Sequence, residues 1–147
     1  MHLKINFDGA VTKSQLGTDM GIGVAVFING QYYEELSRYL FVPGFNKSSS
    51  NVAEWIGCVE AFKLAAEYKE PGDIIEIFSD SQIISYQYNG DYAIKKDEFR
   101  VFYNNAKMWA KTAGLENLKI KWVKREFNKE ADRLSKKGLH STEVLNV

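Results

Sequence analysis

This sequence is short of most of the chemistry that metal-thiolate and nucleophilic enzymes use. It has one cysteine, so no intramolecular disulfide and no cysteine-based metal cage can form. Its two histidines, His2 and His140, lie near the two ends of the chain, too far apart in sequence to form a local zinc motif. Proline is nearly absent, with Pro43 and Pro71 alone. No stretch reaches the roughly 20 consecutive apolar residues of a membrane-spanning helix, and the start, MHLKINFDGAV, has no secretory signal pattern. No glycine-rich phosphate loop and no G-x-S-x-G occurs. Net charge is also absent overall, with 19 basic and 19 acidic residues.

What is present is ordinary globular material: 147 residues, 45% hydrophobic and 26% charged, expected to form one domain over residues 1–147. The lone Cys58 sits among helix-core residues and reads as a small buried hydrophobe, fitting a reducing, cytoplasmic setting. The charge is unevenly spread. Residues 1–94 hold 6 Lys/Arg against 12 Asp/Glu, whereas residues 95–137 hold 13 against 6. An acidic half can collect cations, and a basic half can meet a polyanion. Solvated faces of unlike sign would give the same count.

The pattern along the chain reads βββ-α-β-α-α-β-α. LKINFDGA alternates, with Leu3, Ile5 and Phe7 on one face and Lys4, Asn6 and Asp8 on the other, as in a half-buried strand. GIGVAVFI, Asn29-Gly30 and QYYEELSRYLF form a hairpin, because Asn-Gly suits a type I′ turn. VPGFNKSSSN is a loop. A helix follows from about residue 51 to 69, burying Val52, Trp55, Ile56, Val59, Phe62 and Ala66 on one stripe. Beside that stripe runs a row of Glu54, Cys58, Ala61 and Ala65, small enough to let the helix approach a sheet closely. DIIEIFSD is a strand covered on both faces, and a short helix follows from Ser81 to Tyr88. A helix over roughly 96–113 ends at Gly114, LKIKWVK is the fifth strand, and NKEADRLSKKGL closes the fold as a helix with Asn128 as cap. Alternating strands and helices in the second half imply parallel strands with helical crossovers.

Four carboxylates stand out, and each has a local explanation. Asp8-Gly9 is a turn signal. Glu54 stands three residues after Asn51, a capping-box spacing. Asp80 can cap the helix that follows it, as can Ser81. Asp132 can pair with Lys136 one turn on. Taken together they suggest something else. Asp80 lies at the carboxyl end of a buried parallel strand, where α/β folds place ligands. Four converging acids repel unless cations hold them, and hard cations with oxygen ligands, such as Mg²⁺, suit such a set. Two such ions can stabilise both oxygens of an in-line phosphoryl displacement.

FDGA around Asp8, NVAEWIGCVEAF around Glu54, FSDSQII around Asp80 and VKREFNKEADRLS around Asp132 resemble the motifs of type 1 ribonuclease H, in order, over about residues 3–139. DSQIISYQYNGDYAIKK and KREFNKEAD are similar to its compact single-domain branch. The resemblance implies an α/β, ribonuclease H-like fold: a mixed five-stranded sheet, its first three strands antiparallel, flanked by helices. It implies endonucleolytic cleavage of the RNA strand of an RNA/DNA hybrid by two Mg²⁺ ions, which Mn²⁺ can replace, leaving 5′-phosphate and 3′-hydroxyl ends. Asp8 would bridge both metals, with Glu54 and Asp80 on one and Asp132 on the other. Asn51 would read the RNA 2′-hydroxyl, Lys95 and Lys96 would contact the DNA backbone, and Ser81 and Asn128 would touch substrate. The family's loop histidine is missing, and Glu126 stands in the corresponding Lys124–Asn128 loop as a candidate for proton transfer or product release. The chain is too short between Asp80 and the last strand for the extra basic helix of some relatives, and no separate hybrid-binding domain is expected. Affinity for hybrid should therefore be modest and strongly salt-dependent. A monomer is expected. The competing readings are a silent hybrid- or RNA-binding module of the same fold, and a related metal-dependent nuclease acting on DNA.

Overall fold

The computed structural model describes residues 1–43 and 49–145. Its elements follow the expected order: β1 (His2–Lys13), β2 (Gly17–Ile28), β3 (Gln31–Pro43), α1 (Ser49–Tyr68), β4 (Ile74–Ser79), α2 (Gln82–Asn89), α3 (Asp97–Thr112), β5 (Lys121–Trp122), a 3₁₀ turn (Arg125–Phe127) and α4 (Lys129–Gly138). The five strands form one sheet in the order β3-β2-β1-β4-β5. β1–β2 and β2–β3 are antiparallel, whereas β1–β4 and β4–β5 are parallel. The β2–β3 turn is the one the Asn-Gly pair dictates, with φ of 50° at Asn29 and 83° at Gly30.

β1 departs from the half-buried strand that its alternation suggests. Leu3, Ile5 and Phe7 are buried on one face, and Asn6 and Asp8 are also buried on the other. The cause is tertiary: α1 packs on the first face and α4 on the second. Glycines make both approaches possible. A Cβ on Gly9 would stand 2.5 Å from the carbonyl carbon of Ala53 in α1, and one on Gly23 would stand 2.4 Å from the backbone nitrogen of Ser135 in α4. Strand glycines of this kind mark a close backbone approach. On α1, Ala53, the Glu54 backbone and Gly57 come close to β1, and Cys58, Ala61 and Ala65 of the small-residue row are fully buried.

Three further expectations need correction. α1 begins at Ser49, so Asn51 lies inside its first turn and Glu54 is its sixth residue; the capping box is not formed. The loop expected before α1 falls mainly on residues 44–48, outside the described residues. α1 is also buried nearly all round rather than along one stripe, because α3 covers the side away from the sheet. β5 is two residues long rather than seven. The Asn89 side chain takes up both backbone groups of Ile120, at 2.8 Å each, and so stands where further sheet pairing would be.

Candidate active site

The site lies at the carboxyl end of β4. β4 pairs with β1 as far as Phe7 and Ser79, so Asp8 and Asp80 stand side by side one residue further on. Asp80 is free of the capping role, because the Ser81 hydroxyl accepts the Ile84 N–H at 3.2 Å and caps α2 instead. The Trp122 indole N–H donates to the Asp80 carbonyl at 3.1 Å and holds that residue from β5. Glu54 comes from α1, drawn in by the close packing at Gly9 and Gly57. One carboxylate oxygen from each of Asp8, Glu54 and Asp80 lies within 4.8 Å of the others.

Asp132 stands at the margin of this group. It is half-buried in α4, and its Oδ2 pairs with Lys136 at 3.0 Å, as the helical spacing predicts. Its carboxylate still acts on both Asp8 and Asp80, raising the pKa of each. The Ser135 hydroxyl, one turn from Ala131, sits 3.5 Å from Asp8 Oδ2.

Burial dominates the electrostatics. It pushes Asp8 up to about 7; the hydrogen bond shared with Glu54 pulls it back, the charge of Asp80 and hydrogen bonding with Asp132 raise it, and the Gly9 N–H, 3.0 Å from Oδ1, lowers it. Glu54 is driven well above the usual carboxylate range, first by burial, then by the charge of Asp8 and the shared hydrogen bond. Asp80 is raised by burial and held back by the Asn128 amide and the Arg125 guanidinium. Two buried oxygens, Glu54 Oε2 and Asp80 Oδ2, have no hydrogen-bond partner among the described residues. An oxygen-only donor set, crowded negative charge and unsatisfied acceptors all suit a hard divalent cation.

The other candidate residues are more scattered. Asn51 is half-buried in the first turn of α1, one helical turn before Glu54. Lys95 and Lys96 are exposed, Lys96 at the N-cap of α3 with its ammonium 5.5 Å from the Phe99 ring centre. Ser81 spends its hydroxyl on α2. Glu126 is exposed and lines a hollow with Lys4, Asn6 and Phe27, and none of the four acids borders it. Asn128 is 1% exposed, and its amide is engaged inside the fold rather than presented to a ligand.

Several positioning residues were not singled out in the sequence: Gly21, Gly23, Ser135, Arg125, Trp122 and Asn6. A signal for the first three was available. Gly21 and Gly23 fall on one face of a strand, and Ala131, Ser135 and Gly138 fall on one face of a helix, two matching small-residue tracks.

Comparison with known proteins agrees with this architecture. The reverse transcriptase-like family model matches residues 6–138. Ribonuclease H1 from the halophilic archaeon Halobacterium salinarum superposes with a TM-score of 0.77 at 22% identity, covering 95% of this chain and 98% of that one. LC11 ribonuclease H1, solved in complex with an RNA/DNA hybrid, gives 0.77 at 23% identity, covering 94% and 96%. The N-terminal ribonuclease H domain of a Mycobacterium tuberculosis protein, solved fused to maltose-binding protein, gives 0.77 at 20% identity, covering 95% and 99%. The chain therefore belongs to the reverse transcriptase-like family and has the fold of the type 1 ribonucleases H.

Proposed function

We propose that this protein is a metal-dependent endonuclease that cleaves the RNA strand of RNA/DNA hybrids, leaving 5′-phosphate and 3′-hydroxyl ends. The observation that carries the reading is the convergence of Asp8, Glu54 and Asp80 within 4.8 Å, with buried oxygens of Glu54 and Asp80 left without partners. A protein that merely bound a polyanion would gain nothing from buried negative charge at that place. The related LC11 structure holding a hybrid supports the substrate class.

Asp8, Glu54, Asp80 and Asp132 would hold two Mg²⁺ ions, for which Mn²⁺ can substitute; such ions neutralise phosphate charge and lower the pKa of a bound water. The chain's own residues do the rest. Asp8 is fixed by the Gly9 N–H and Ser135, so its carboxylate enters the reaction already oriented. Asn51, on the helix turn before Glu54, offers an amide that can donate to or accept from a 2′-hydroxyl, the group that separates RNA from DNA. Lys95 and Lys96, exposed at the start of α3, meet the backbone phosphates of the other strand. No histidine occurs in the loop before α4, and Glu126 is the exposed carboxylate there that can carry a proton.

The test is cleavage of end-labelled RNA/DNA hybrid, single-stranded RNA and duplex DNA, each with Mg²⁺, Mn²⁺ or EDTA. RNA-strand cutting confined to hybrid and abolished by EDTA is expected. Hybrid binding without cutting would make the chain a silent binding module, and cutting of duplex DNA would make it a different nuclease.

A further inference from the structure

Asn128 takes neither of the parts that its position suggests. It precedes α4 but makes no side-chain cap, and it is buried rather than turned to a ligand. Its Nδ2–H donates to the Phe7 carbonyl at 3.0 Å, next to Asp8. Its Oδ1 accepts from Asn6 Nδ2 at 2.9 Å. Its own carbonyl accepts the Asp132 N–H at 3.0 Å. One residue thus touches the segments that carry Asp8 and Asp132.

A purely structural contact here would be better made by apolar side chains. The amide pair is buried among strand and helix backbone, and Asn6 Oδ1 is left without a hydrogen-bond partner among the described residues. A partly satisfied buried polar pair is less stable than an apolar one of the same shape. The directional hydrogen bonds do what apolar packing cannot, which is to set an orientation.

We propose that the buried Asn6–Asn128 amide pair is a positioning device, which locks the start of α4 onto β1 and thereby sets the spacing of Asp8 and Asp132 for their metal ions. This rests on the metal-dependent reading of the acidic centre. Neither asparagine touches substrate; both act through the acids, as the outer residues of metal sites do.

The decisive experiment is a Mn²⁺ titration followed by thermal shift on wild type, Asn128→Ala, Asn6→Ala, the double variant and Ser37→Ala, with hybrid cleavage measured alongside. In Asn128→Ala the apparent Mn²⁺ dissociation constant should rise about 10–100-fold, and kcat should fall while KM for hybrid holds. Asn6→Ala should move the same way, and the double variant should be no worse than Asn128→Ala, since both changes break one unit. Ser37→Ala is the control: its hydroxyl also ties α4 to the sheet, through the Leu134 carbonyl at 2.7 Å, so its loss should lower Tm and leave Mn²⁺ affinity unchanged. Unchanged Mn²⁺ affinity in Asn128→Ala would make the pair merely structural, and a raised KM at constant kcat would make Asn128 a substrate contact; either overturns the proposal. If Asn128→Ala does not fold, Asn6→Leu decides, with weakened Mn²⁺ binding expected at an unchanged or higher Tm, and unaltered binding contradicting the proposal. A wild type that binds Mn²⁺ yet cuts no hybrid would sink the nuclease reading, and the titration would still decide the role of the pair. A wild type that binds no Mn²⁺ overturns both.

Discussion

Asp8 is the residue on which the electrostatics converge. Its pKa in the fold is raised from 3.8 to about 7, chiefly by burial. A raised acid takes up a proton in the folded state that the unfolded chain releases. Its contribution to stability is therefore fully present below about pH 4 and lost as the pH rises through about 7. The metal-free protein should melt at a higher temperature at pH 5 than at pH 8, and Asp8→Asn should flatten that fall; parallel pH profiles for the two proteins would show that Asp8 does not titrate there. The same substitution should abolish hybrid cleavage. In the sequence each acid carries a local excuse, and only that of Asp132 survives in the structure. Lys136 does pair with Asp132, whereas Ser81 and not Asp80 caps α2. Glu54 caps nothing, because α1 starts three residues earlier than its Asn and Glu spacing implies. Local motifs fix what a side chain could do with its neighbours in sequence; which partners it meets is settled by β4 pairing with β1.

At the scale of elements, the site depends on how closely two helices reach the sheet. Gly21 and Gly23 let α4 settle on β2: a Cβ at position 21 would stand 1.9 Å from the Ser135 carbonyl oxygen. That contact is with backbone and cannot be relieved by a rotamer change. Gly21→Ala should cost at least ~1–3 kcal/mol in urea unfolding, and should lower cleavage as well, since α4 carries Asp132. A neutral result would mean that α4 sits less closely than described. Element types were legible because periodicity and turn chemistry are local: the Asn29-Gly30 hairpin and the α3 stop at Gly114 follow from single residues. The length of β5 and the burial of the polar face of β1 were not legible. The first is set by an Asn89 side chain 31 residues away in sequence, and the second by a helix at the far end of the chain.

On the proposed reading an acidic centre meets a polyanion, so binding has to come from elsewhere on the surface. Residues 95–137 carry the excess of basic side chains, and Lys95 and Lys96 are exposed at the start of α3. Lys95→Ala with Lys96→Ala should weaken hybrid binding and reduce the log-log salt slope by about 2, with less effect on turnover at saturating substrate. An unchanged slope would place the hybrid on another face. The central claim, that the acidic cluster is a catalytic metal centre and not a by-product of packing, is tested most directly by Glu54→Gln. Glutamine keeps the size and the hydrogen-bonding capacity of Glu54 and loses its charge. Hybrid cleavage of this one variant should be measured in Mg²⁺ and its melting curve in metal-free buffer. The account predicts cleavage reduced by orders of magnitude at a Tm equal to wild type or higher in metal-free buffer, where one like charge has been removed from the cluster. A variant that melts like wild type and still cuts hybrid at a rate near wild type would contradict it.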